Sequence, residues 1–213
     1  MSTAQVFTKI YAENHWGRST DPTQAFFSGS GSHDPIIVNG YVEAVRKLLS
    51  TFEEKPSVVD LGCGDFSIGS RIRDLCNQYI ACDIVEPLIL FNRKKYKELN
   101  VDFMVLDLTV NELPKADLVF IRQVLQHLPN DLICNAVEKI SSSYKYLVLT
   151  EHLPKIKDFQ ANLDKPAGRG IRLPLQSGIV LTKPPFNLKF IAEEQLYEIK
   201  EGDGIIRTTL YQF

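Results

Sequence analysis

The sequence predicts an α/β protein: a doubly wound, mostly parallel seven-stranded sheet with helices on both faces, ending in an antiparallel hairpin. Three observations carry that prediction. Apolar runs of strand length alternate with stretches of helical period from residue 35 to residue 150, and strict alternation builds a parallel sheet through right-handed crossovers. A Gly-x-Gly turn, Gly62-Cys63-Gly64, follows the first of those strands. Two β-rich stretches, 186–199 and 205–213, flank Gly202-Asp203-Gly204, a hairpin signal. A chain of 213 residues fits one domain with room for an elaboration and buries a core without disulfides or metals.

The elements follow in order. Residues 1–33 read as irregular, because Gly17, Gly29, Gly31 and their neighbouring serines and threonines break any period, with Trp16, Phe26 and Phe27 as aromatic anchors. Asp34-Pro35 supplies an N-cap and a proline at the first helical position. Val38, Tyr41, Val42, Val45, Leu48, Leu49 and Phe52 then recur at helical spacing. Residues 56–61 form a short buried strand, and Ile68, Ile72 and Leu75 mark a helix behind the glycine turn. A strand over 79–82 leads to Glu86-Pro87, which opens a helix to about residue 99. Strands follow at 101–106 and 118–121. Asn130 caps a helix with Leu132, Ile133, Ala136, Val137 and Ile140 on its buried face, and 144–150 is the fifth strand. Residues 151–186 are proline-rich and aperiodic, too long for an idle loop in a compact domain.

Composition excludes several classes. Lys and Arg total 24 against 26 Asp and Glu, for a net charge of −2. That is a poor match to a duplex-binding protein, whose affinity comes from neutralised phosphates. No apolar run approaches the roughly 18 residues that suggest a membrane span, and the first residues lack a basic region followed by an apolar stretch. Cys63, Cys76, Cys82 and Cys134 form no CxxC pair, so reduced thiols in the cytoplasm are expected. The same reading expects no nucleic-acid or membrane partner, and a monomer or homodimer.

Ligands of open α/β sheets bind beyond the carboxyl ends of the strands. Gly62 and Gly64 lie there and allow close backbone approach. The dinucleotide fingerprint GxGxxG is incomplete, since Ser67 holds its third glycine position. Acidic residues stand at three successive strand ends: Asp60, Asp83 and Asp107. Asp83, about 20 residues past the glycines, can accept both hydroxyls of a ribose. Asp107 can accept from an adenine amine, and Asp60 can hold loop amides or face a cationic group. Such acidity suits a ligand with an amino group and a sulfonium rather than a pyrophosphate. Taken singly, each aspartate also fits a turn cap.

The segment Val58-Val59-Asp60-Leu61-Gly62-Cys63-Gly64-Asp65 resembles the first motif of class I S-adenosylmethionine-dependent methyltransferases. Cys82-Asp83 and Leu106-Asp107-Leu108 resemble that family's ribose and adenine motifs, and residues 117–128 are similar to its fourth strand and following turn. Phe66 departs from the pattern, standing where many members carry a third glycine, so its ring must point away from the cofactor. The Asn14-His15-Trp16-Gly17 and Ser28-Gly29-Ser30-Gly31-Ser32 segments resemble the N-terminal signature of a bacterial subset associated with surface-polysaccharide and small-metabolite modification.

The resemblance implies S-adenosylmethionine as cofactor, S-adenosylhomocysteine as product, and a cofactor site of Asp60, Gly62, Cys63, Gly64, Asp83, Ile84, Asp107, Leu108 and Arg122. It implies one methyltransferase domain over 1–213, with a lid (1–33), a cofactor core (34–150), a substrate cap (151–186) and a C-terminal hairpin (187–213). The acceptor is expected to be a small molecule, anionic or sugar-type, methylated on oxygen or nitrogen. Proton acceptance falls to His152, His127 or His15, each of which also reads as a packing or loop histidine. Trp16, Arg122, Glu151, Arg169 and Arg172 are the candidate acceptor contacts, the arginines for an anion. No His/Asp/Glu spacing resembles a metal-ligand set. A nicotinamide-dependent oxidoreductase is the competing enzyme, disfavoured by Ser67, Asp60 and Asp107; a cofactor-binding protein without turnover is the non-enzymatic one.

Overall fold

The computed structural model describes residues 1–213. Its seven-stranded sheet runs β3 (Asp102–Val105), β2 (Tyr79–Asp83), β1 (Val58–Leu61), β4 (Leu118–Arg122), β5 (Tyr146–Pro154), β7 (Gly204–Gln212), β6 (Ala192–Glu201). The first five strands pair in parallel, and β7 lies antiparallel to both of its neighbours. The sheet is therefore doubly wound with an antiparallel end, as the alternation predicts. Strand order reverses between β1 and β4, which makes their carboxyl ends the switch point.

Alternate β1 residues face opposite layers, as the pleat requires. Val59 and Leu61 join a core with Ile133, Ala136 and Ile140 of α4 (Asn130–Ser143). Val58 joins the other core, with Val38, Val42 and Val45 of α2 (Pro35–Leu49). Asp34 caps α2 as expected, accepting from the Ile36 amide at 2.9 Å. Phe66 takes a left-handed backbone, φ +60°. Its buried ring packs edge-on against Tyr79, Tyr96 and Phe103, away from the glycine turn.

Several expectations need correction. The N-terminal segment is not irregular throughout: Thr3–Ala12 forms a helix, α1, with a Ser2/Gln5 capping box and Phe7 and Ile10 buried. The breaking glycines all lie beyond it. Behind the glycine turn there is no α-helix but two 3-10 turns, Gly69–Arg71 and Arg73–Leu75, in a stretch interrupted by Ser67, Gly69 and Ser70. Helix α3 spans Glu86–Lys95 and gives way to a 3-10 turn. Asn130 does not cap α4 with its side chain; Pro129 holds the cap position, and Asn130 reaches across to the Asn162 carbonyl at 2.7 Å. Strand β5 does not stop at Thr150 but continues to Pro154, paired with β7 along its whole length. Glu151 and His152, where the apolar run ends, are thus inside the strand.

Candidate functional site

A cavity of about 340 Å³ opens at the switch point, within the size range of small-molecule sites. Its floor is the β1 turn. Gly62 (φ +81°) and Gly64 (φ +56°) adopt left-handed backbone. A Cβ at Gly62 would lie 2.4 Å from Val124 Cγ2, and one at Gly64 2.5 Å from Ser28 Oγ. Only glycine leaves the backbone this close to its surroundings. Cys63 lines the same floor and is half-buried.

The three strand-end carboxylates surround it. Asp83 Oδ2 accepts the Gly64 amide at 3.1 Å and Oδ1 the Val85 amide at 3.0 Å, which ties β2 to the glycine turn. Burial raises its pKa to about 6, against those hydrogen bonds. Each oxygen keeps a second lone pair. Asp60 accepts from the Tyr79 hydroxyl at 3.0 Å, and burial raises its carboxyl to about 7. Asp107 Oδ1 accepts from the amide and hydroxyl of Thr109. Ile84, Leu106 and Leu108 supply apolar walls between them.

Arg122 leaves β4 into the cavity without a carboxylate partner. Its Nη2 donates to the Gly31 carbonyl at 2.6 Å, its guanidinium carbon lies 4.9 Å from the Tyr41 ring centroid, and its buried Nε has no partner. The Gly31 contact belongs to a latch that lays residues 28–33 over the glycine turn. Asp65 accepts from the Ser28 amide at 2.8 Å and meets His33 Nε2 at 2.7 Å, while Ser28 Oγ accepts the Asp65 amide. Tyr11 of α1 reaches the same Ser28 hydroxyl at 2.9 Å. Phe7 and Trp16, in near-stacked contact, continue the roof.

The far end of the cavity holds His127, His152, Gln126, Arg169 and Glu201. His127 points Nδ1 at the Gly168 and Gly170 carbonyls (3.2 and 3.4 Å), and burial lowers its pKa to about 4. His152 meets Glu201 Oε2 at 3.1 Å. Burial lowers its pKa, opposed by Glu201. Arg169 is exposed at the rim.

Three predicted residues lie elsewhere. His15 pairs with Glu13 at 3.0 Å, outside the cavity lining. The Glu151 carboxylate accepts the Leu125 and Gln126 amides, both at 3.1 Å, and so braces the turn after β4 from beneath. Arg172 is 1% exposed. Its guanidinium donates to the carbonyls of Leu163, Gln126 and Leu128 and to Asn130 Oδ1 at 2.8–3.0 Å. It fastens the segment between β5 and β6 to the turn after β4 and offers no hydrogen to a ligand. Sequence reasoning missed Glu201, Gln126 and the Asp65 latch. Asp65 lies in the 58–65 motif and Gln126 in the 117–128 segment, but nothing in the local pattern gives either its role, and nothing singles out Glu201.

Residues 59–145 match the sequence profile of a family described as a methyltransferase domain. No curated protein sequence matches the chain. Among solved structures, the N-methyltransferase NodS of Bradyrhizobium japonicum WM9, in complex with S-adenosyl-L-homocysteine, is similar with a TM-score of 0.67 at 12% identity, over 100% of this chain and 99% of that one. Magnesium protoporphyrin IX methyltransferase of Synechocystis PCC 6803, with bound S-adenosylmethionine, gives 0.62 at 17% identity over 100% and 98%. Human N-acetylserotonin methyltransferase, in complex with the same molecule, gives 0.64 at 18% over 100% of this chain and 60% of that chain. The architecture that this chain shares with all three is the α/β fold with its seven-stranded sheet.

Proposed function

We propose that this chain is a class I methyltransferase that moves the methyl group of S-adenosylmethionine to an oxygen or nitrogen of a small acceptor. The observation that carries the reading is the convergence of Asp60, Asp83 and Asp107 with the Gly62/Gly64 turn in one cavity at the switch point. The cofactor supplies an electrophilic methyl group on a sulfonium. Asp83 accepts the ribose hydroxyls, Asp107 the adenine amine, and Ile84 and Leu108 flank the base. The glycine turn admits the amino-acid end, with Asp60 facing its positive charge and the Arg122 guanidinium its carboxylate.

The remaining work of the chain is to bring the acceptor into line with that methyl group and exclude water, effects that can supply much of a transfer rate. Residues 1–33 act as a lid, held by the Asp65 latch, and the segment between β5 and β6 caps the acceptor end. Trp16 gives that end a flat apolar wall, and Arg169 gives it positive charge, which suits an anionic or sugar-type molecule. Two of the three similar proteins above are methyltransferases of small compounds, magnesium protoporphyrin IX and N-acetylserotonin. We place the reaction in the cytoplasm, with the protein a monomer or homodimer.

Titration calorimetry with S-adenosylhomocysteine and, separately, NADH tests the cofactor directly. Micromolar binding of the first and none of the second is expected. Binding of NADH alone would overturn the reading in favour of a nicotinamide enzyme.

A further inference from the structure

We propose that Glu201, at the end of β6, positions His152 of β5 as the base that takes the proton of the attacking acceptor atom. The two residues lie 49 positions apart and meet because the hairpin folds its turn back onto the end of β5. Glu201 touches the imidazole twice, through Oε2 at 3.1 Å and through its own carbonyl at 3.3 Å from Nε2. Both atoms only accept, so Nε2 carries the ring hydrogen and Nδ1 is left with its lone pair. The Nε2–Cδ2 edge is pressed against the turn: a Cβ at Gly204 would lie 2.5 Å from Nε2 and 2.7 Å from Cδ2. Gly204 therefore has no room for a side chain, and the ring is fixed with its Nδ1 edge turned away from the hairpin. Both His152 and Glu201 line the cavity.

His127 is set up differently. Its Nδ1 faces two carbonyls, its Nε2 faces the Gln126 side chain at 3.4 Å, and the charged neighbours that act on it, Lys165 and Arg172, are both cationic. It has no anion to stabilise an imidazolium. His152 has one: Glu201 is the charged group that acts on its imidazole, while Arg169 lines the cavity and Lys155 Nζ donates to the Gly202 carbonyl of the same turn. An imidazole steered by a carboxylate behind it is the arrangement that general-base catalysis uses in unrelated folds.

The inference rests on the methyltransferase reading. In the step, a lone pair of the acceptor oxygen or nitrogen forms a bond to the methyl carbon, and the carbon–sulfur bond breaks with its electrons going to sulfur. The acceptor's proton passes to His152 Nδ1. The sulfonium's positive charge thus ends as an imidazolium beside Glu201, and S-adenosylhomocysteine leaves neutral at sulfur. Glu201 is a positioning residue; His152 is the group that touches the reacting atoms.

The test uses protein labelled at histidine Cε1, titrated by NMR without any acceptor, as wild type, Glu201→Gln, Glu201→Asp and His152→Gln, the last assigning the resonance. Loss of the carboxylate should lower the His152 midpoint by about half a pH unit or more, and aspartate should restore part of it. A midpoint unchanged in Glu201→Gln overturns the pairing. Incorporation of tritiated methyl groups into a panel of small alcohols, sugar phosphates and amines then reads the chemistry. Turnover of the labelled compounds should fall about 10- to 100-fold in Glu201→Gln with KM little changed, and unchanged turnover overturns the base. S-adenosylhomocysteine calorimetry on the same samples separates the two levels: retained binding with an unmoved midpoint sinks this inference alone, whereas loss of binding in the wild type sinks the cofactor reading.

Discussion

Asp83 does two jobs at once. Its carboxylate closes the β1 turn through the Gly64 amide and starts α3 through the Val85 amide, and in the proposed complex it also receives the ribose. Replacing Asp83 by alanine should therefore weaken S-adenosylhomocysteine binding by about 1.5–3 kcal/mol, the worth of hydrogen bonds to a charged group. That is roughly a 10- to 150-fold rise in Kd by calorimetry. Unchanged affinity would remove Asp83 from the site. The position of this residue was legible, because a carboxylate at the end of the second strand needs only the strand's apolar run and a count from the glycines. Its hydrogen bonds to the turn were not, since they depend on how far apart β1 and β2 end. His152 shows the opposite failure. The apolar run that betrayed β5 ends at Thr150, so the two polar residues after it looked like loop, whereas β7 pairs with them and buries them both.

At the scale of elements, the sheet was readable almost strand for strand, because a parallel strand buried on both faces is a contiguous apolar run. The long segment between β5 and β6 was not. It has no period, and its order rests on hydrogen bonds to buried polar side chains, Asn162 and Arg172 among them. Asn162 donates to the Val180 and Pro184 carbonyls at 2.9 Å and accepts the Val180 amide at 2.8 Å, and Arg172 binds the turn after β4. Beside Arg169 in the sequence, Arg172 reads as a second anion contact; only the fold reveals that its hydrogens are taken by backbone carbonyls and Asn130 Oδ1. The two arginines of the segment should accordingly behave in opposite ways. Arg172→Ala leaves several buried carbonyls without donors and should cost about 3 kcal/mol or more of stability in urea unfolding. It should also make residues 155–175 an early site of limited proteolysis. Arg169→Ala, at an exposed rim position, should leave stability within about 0.5 kcal/mol of wild type and raise KM for an anionic acceptor. Equal unfolding midpoints for the two variants would refute this division of labour.

For the whole molecule, the cost of gathering carboxylates at the switch point should be visible in the protein without ligand. Burial raises Glu151 to about 8, Asp60 to about 7 and Asp83 to about 6, while the unfolded chain has released those protons near pH 4. Between pH 6.5 and 7.5 the folded state therefore binds more protons at these sites, and stability falls as pH rises. Two effects oppose it. His127 and His152 are depressed by burial, so the unfolded state still holds some histidine protons near pH 6.5. Lys165, lowered to about 8 by burial and by Arg172 next to it, begins to lose its proton in the folded state at the upper end. The acids outnumber these in the window, and the balance is a net loss on the order of 1 kcal/mol across that one pH unit. Thermal unfolding of the ligand-free protein should show the midpoint dropping over this range. Asp60→Asn, which can still accept from Tyr79, should flatten the slope by about half, because only the titrating proton is removed. A midpoint that climbs from pH 6.5 to 7.5, or an Asp60→Asn slope equal to wild type, would mean that these carboxylates are already ionised in the folded protein. A cationic ligand end beside Asp60 would then gain nothing from drawing its proton away.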